Sequence, residues 1–148
     1  MNLSDMAARG FLEPLAGTPE ELNDLLAMAR RHLADAQLTG LSAESCLVHA
    51  YQAILACAMV ALRARDYRVP NIDGKHVRAL ESLKHTLGVD SREVEYFQSL
   101  RRKRHEDIYE GMLHASDMEA QDALEAARRL VEVTENDLRQ RFPGLLEG

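Results

Sequence analysis

Ser42-Ala-Glu-Ser-Cys-Leu-Val-His-Ala-Tyr-Gln-Ala-Ile-Leu-Ala-Cys-Ala-Met-Val-Ala-Leu62 is the stretch that decides the fold. Ser42 caps a helix, with Ser45 a second capping residue. Leu47, Ala50, Tyr51, Ile54, Leu55, Ala58 and Leu62 then recur at helical spacing. From Ala53 to Leu62 every side is apolar, as in a helix surrounded by others. Alanines at 50, 53, 56, 58 and 61 let neighbouring backbones come close. The apolar run is too short for the ~18–20 residues that cross a bilayer, so this is read as the centre of a bundle.

Outward from this helix the chain is helical almost throughout. On the N-terminal side, Thr18 caps a helix with Pro19 at its first position and Glu20 and Glu21 in its first turn. Its stripe is Leu22, Leu25, Leu26, Ala29 and Leu33, and Gly40 follows its end. Residues 1–17 contain Gly10, Pro14 and Gly17 and read as an irregular arm. On the C-terminal side, Asn71-Ile-Asp-Gly74 is turn chemistry. A short helix from Lys75 to Thr86 follows, stopped by Gly88. Asp90 or Ser91 caps the next, with Glu93 at capping-box spacing from Asp90, and it runs to about His114. Ser116 with Glu119 opens the last, which Pro143-Gly144 ends. The expected fold is all-α: an antiparallel up-and-down bundle of about five helices. One domain spans 18–142, with a tail at 143–148.

The composition agrees. The chain has 148 residues, 46% hydrophobic and 28% charged, which is globular and of single-domain size. Residues 1–11 carry Asp5 and Arg9 and no apolar run, unlike a secretion signal. No membrane segment is expected, and the cytoplasm is the expected location. A net charge of −6 excludes a broadly basic, unspecific nucleic-acid binder, so any anion site must be local. Cys46 and Cys57 lie about 16 Å apart along one helix, beyond the ~7 Å reach of a disulfide, and read as small core residues.

The local patch is Ser99-Leu-Arg-Arg-Lys-Arg-His-Glu-Asp-Ile-Tyr-Glu-Gly111. At about 100° per residue, Leu100, Ile108 and Met112 fall within about 60° of Phe97. Arg104 sits near the middle of that apolar stripe and Arg101 inside it. An unpaired buried cation costs several kcal/mol, so these arginines must find acids, line a cleft or meet an interface. Glu93, Glu95, Glu106 and Asp107 are the acids nearby in sequence. Arg102 and Lys103 project away and read as solvated. His105 and Tyr109 lie along the stripe's edge, and His76, just after the Gly74 turn, is a further residue able to face the same place.

Taken together, Tyr51 with Ala53, Ala58 and Leu62, the turn ending in Gly74 before His76, the run Arg101 to Gly111, and Ser116 to Ala127 resemble the helices of HEPN-domain proteins, over roughly residues 18–140. The resemblance implies a homodimer built around the second and fourth of these five helices. It implies a nucleotide- or RNA-phosphate-binding cleft with Arg101, Arg104, His105, Tyr109 and His76, and a toxin–antitoxin or defence setting. Two alternatives come with it. One is a non-enzymatic module that partners a nucleotidyltransferase. The other is a metal-independent endoribonuclease with Arg104 and His105 as catalytic residues. In catalytic members an arginine is followed, after four to six residues, by a histidine. Here those places after Arg104 hold Tyr109, Glu110 and Gly111. Tyrosine, with an ordinary pKa near 10, is a poor general base at neutral pH, so binding is expected over cleavage. The literal spacing Arg78…His85 falls outside the matching region. No cofactor is expected. No metal is either, since His32, His49, His85 and His114 lack ligand spacing and neither Cys-x-x-Cys nor His-Glu-x-x-His occurs.

Overall fold

The apolar stretch around Ile54 forms the central helix of an all-α bundle. The computed structural model describes residues 1–109 and 114–145, with side chains as far as residue 105 in the first stretch. In chain order the elements are α1 (Leu3–Ala8), β1 (Glu13–Pro14), α2 (Pro19–Ala36), α3 (Ala43–Arg63), β2 (Tyr67–Arg68), α4 (Lys75–Thr86), α5 (Ser91–Tyr109) and α6 (Asp117–Arg141). α3 packs most extensively against α2 and α6, and also against α4 and α5. That explains its all-round apolarity: Leu47, Ala53, Ile54, Ala58 and Leu62 are all fully buried. By length and composition α3 could cross a membrane, yet 72% of its most apolar window is buried inside the bundle. It is a core helix.

The capping residues act as their types suggest. Thr18 Oγ1 accepts from the Glu21 N–H at 3.2 Å, and Ser42 Oγ from the Ser45 N–H at 3.1 Å. Ser116 and Glu119 form a reciprocal capping box. At α5, Asp90 accepts from the Arg92 N–H at 2.6 Å, while the Glu93 carboxylate turns to Arg129 of α6 at 3.6 Å instead of completing a box.

The N-terminal segment is not irregular. Asn2 and Asp5 build a capping box that starts α1, and Met6 and Leu12 enter the main core with 0% and 2% exposure. Glu13–Pro14 then pairs antiparallel with Tyr67–Arg68. A six-residue helix is too short to show a period or to be stable alone; packing against the bundle forms it. Gly17 is required where this segment passes α3. A Cβ there would stand 2.4 Å from the Arg63 carbonyl oxygen, inside any tolerable contact. Its N–H instead donates to the Asp66 carboxylate at 2.9 Å.

Arg63 ties this corner together. It is 4% exposed. Its guanidinium donates to the carbonyls of Leu15 at 2.7 Å, Ala16 at 3.0 Å and Tyr67 at 3.0 Å, and pairs with Glu21. The bonded guanidinium holds the Glu21 carboxyl below its ordinary range.

Candidate functional site

The turn before α4 and the middle of α5 enclose a cleft of about 320 Å³, with Tyr51 of α3 at its floor. Gly74 adopts a left-handed conformation, φ +82°, and serves as the N-cap of α4. Having no side chain, it cannot cap, and the first turn of α4 contains no acid. The amides of that turn therefore keep their unpaired donors and the positive end of the helix dipole. Gly74, Lys75, His76 and Val77 line the same cleft as Arg101, Arg104 and His105.

Four of the five residues expected at the site thus come together: Arg101, Arg104, His105 and His76. The fifth, Tyr109, has a side chain outside the described residues, as are Glu110 and Gly111.

The two inward arginines are held differently. Arg101 Nε donates to Gln98 Oε1 at 2.8 Å, and Gln98 Nε2 donates to the Val77 carbonyl of α4 at 3.0 Å. Gln98 is 6% exposed, so it works as a fixed strut that locks Arg101 to the α4 wall. Arg104 lies over the Tyr51 ring, its guanidinium carbon 5.7 Å from the centroid. Its Nε is buried with no hydrogen-bond partner among the described residues, and so is the Tyr51 hydroxyl. Burial pushes the Tyr51 hydroxyl up to about 12 despite the nearby cations, so at neutral pH it stays protonated and is a donor.

Two of the four acids near Arg104 in sequence are engaged elsewhere. Glu95 pairs with Arg102 at 2.8 Å and Glu93 with Arg129; the Glu106 and Asp107 side chains lie outside the described residues. Arg102 is a surface charge, as its place on the helix predicts. Lys103 is not merely solvated, because it reaches Glu119 of α6 at 3.4 Å. Arg78 stacks its guanidinium 3.5 Å from the Phe11 ring centroid, and neither it nor His85 lines the cleft.

Among the described residues the cleft's lining holds three fixed cations, Lys75, Arg101 and Arg104, and one carboxylate, Asp73. His76 shares the electrostatics. Burial first, then Lys75, Arg104 and Arg101, lower its pKa below the ordinary histidine value, so it is neutral at pH 7. On the other side of Lys75 and His76 lies a second, more apolar cleft of about 450 Å³, lined also by Leu55, Met59, Val69 and Asn71. A helix N-terminus and two guanidinium groups on one cleft suit an oxyanion; an apolar neighbour suits a flat organic ring.

Three participants are not apparent from sequence: Tyr51 as the floor, Gln98 as the strut and the α4 amides. The only available signal was the uncapped Gly74-Lys-His start of α4. No family model, no curated protein and no solved structure matches the chain.

Proposed function

We propose that the basic cleft binds the phosphate of a nucleotide or of an RNA strand, with the adjoining apolar cleft taking a base. The observation that carries this reading is Arg104. Its Nε is buried without a partner among the described residues, beside an equally unpartnered Tyr51 hydroxyl, at the floor of a cleft that also opens on the α4 N-terminus. A buried donor left unsatisfied costs about 1–3 kcal/mol. Both atoms are closed to solvent in this conformation, so a phosphate in the cleft meets the outer nitrogens of Arg104 and satisfies the buried pair only as that side chain turns toward it.

In this reading Arg104 and the α4 amides grip the phosphate, and Arg101, held by Gln98, adds a second guanidinium. Lys75 supplies charge at the mouth. The likeness to HEPN bundles supports the same assignment. Binding is favoured over cleavage because Tyr109 stands five residues after Arg104, where catalytic HEPN members carry histidine, and a tyrosine with an ordinary pKa near 10 is a poor general base. Of the two helices that the likeness would place at a dimer face, α3 is enclosed by its own bundle, so a second copy would have to meet α5.

Titration of a short single-stranded RNA at low and at physiological salt tests the proposal. Engagement of two or three phosphates predicts a log–log salt slope of roughly −1.4 to −2.1. A nucleoside monophosphate should bind more tightly than inorganic phosphate, because only it fills the apolar cleft. Phosphodiester affinity should also rise as pH falls below about 6.5, since a bound anion favours protonated His76. Absence of binding at low salt would sink the proposal.

A further inference from the structure

Where α2 packs on α3, away from the basic cleft, His32 and His49 bring their Nδ1 atoms to 3.1 Å. The ring centroids are 5.4 Å apart and the planes are tilted by 34°. Asp35, one turn after His32, joins them: one ligand atom from each of the three residues lies within 4.8 Å of the others. The three are half-buried. His32 and His49 stand on different helices, seventeen residues apart in sequence, so ligand spacing along the chain conceals them.

We infer that His32, Asp35 and His49 form a binding site for a divalent transition-metal ion of zinc's size and ligand preference. Two nitrogens each about 2.0–2.1 Å from a tetrahedral ion stand roughly 3.3 Å apart. The observed separation of 3.1 Å is close to that bite. Two imidazoles and a carboxylate are a donor set that suits zinc, nickel, copper or non-haem iron rather than calcium or magnesium. Three protein ligands leave a fourth position open, and the half-buried setting of all three residues leaves it near solvent.

The chemistry balances without a co-reactant. Two imidazole lone pairs cannot face each other at this distance. In the metal-free pair one ring therefore carries its proton on Nδ1 and donates it to the other. On coordination both Nδ1 lone pairs turn to the ion, and each neutral ring keeps its one proton on Nε2. One tautomer changes and no proton is lost from the neutral pair. Bound in this way, the ion links α2 to α3, so it stabilises the folded chain by mass action.

The test uses the full chain stripped of metal and titrated with zinc, with cobalt(II) as a spectroscopic probe. One ion per chain should bind, cobalt should give tetrahedral d–d bands, and the melting temperature should rise with zinc. Loss even of a residue that only supports a metal ligand costs roughly 10–100-fold in affinity. The double variant His32→Ala/His49→Ala should therefore bind at least about 100-fold more weakly. If that variant does not fold, Asp35→Asn gives the reading, with at least a tenfold loss expected on about the same basis. Histidine modification by diethyl pyrocarbonate, mapped by residue, should show zinc protecting His32 and His49 but not His85 or His114. No zinc binding, equal binding by the variants, or protection confined to His76 and His105 would each overturn the assignment.

Discussion

Replacing Arg63 with methionine should lower the unfolding free energy by about 3–5 kcal/mol, as expected when one partner of a buried charged network is removed. The side chain is 4% exposed and serves three backbone carbonyls and the Glu21 carboxylate. Methionine fills much of the volume but leaves those acceptors without donors, and each buried one costs about 1–3 kcal/mol. Glu21, with 38% of its side chain exposed, recovers solvation and limits the total. The carbonyls of Leu15 and Ala16 belong to the segment joining β1 to α2, so the loss should also free that segment. Urea unfolding should show a lower midpoint with an unchanged slope, and proteolysis should start near residues 15–17. A loss under about 1 kcal/mol, within the range of ordinary surface substitutions and their neighbours, would mean that this corner is held by something else.

The second large effect is on binding. Arg104→Met should weaken affinity for a short RNA by roughly 10–100-fold, the loss of one charge-assisted hydrogen bond worth about 1.5–3 kcal/mol. Stability should move the other way or stay level. Methionine keeps the aliphatic stem and removes a buried Nε that has no partner among the described residues. Against this stands the contact with Tyr51, at 5.7 Å, worth about 0.5–1 kcal/mol. The net change should lie between zero and about 1 kcal/mol of added stability, the pattern of a residue kept for function at the expense of folding. A parallel Arg102→Met should change neither property much, because that side chain is exposed and its ion pair with Glu95 is a surface one. If Arg104→Met loses stability and binding together, its role is structural.

The helices were legible wherever sequence-local rules set them. Thr18, Ser42 and Ser116 cap helices because a hydroxyl three residues before a free N–H suffices, and no distant contact is involved. The face of α5 was legible for the same reason: helical period alone puts Arg104 on the Phe97 and Leu100 side. What that face meets was not. Periodicity gives a direction and not a neighbour, so Tyr51, more than fifty residues earlier, was invisible as the floor beneath Arg104. Nor could the wheel show where the neighbouring acids turn, since Glu93 looks to Arg129 of α6, which the helical wheel of α5 does not contain. The α1 segment was missed because Gly10, Pro14 and Gly17 dominate its composition, while the packing of Met6 and Leu12 that orders it is wholly tertiary. His32 and His49 meet only because α2 and α3 form a hairpin.

The most direct measurement is a map of backbone amide chemical shifts during titration with a short single-stranded RNA at low salt. The largest changes should fall on the amides of Lys75, His76 and Val77, with the Arg101 and Arg104 side-chain signals moving in step and Arg104→Met abolishing the pattern. Shifts centred elsewhere on the bundle, or none while the RNA is in excess, would contradict a phosphate site at the start of α4.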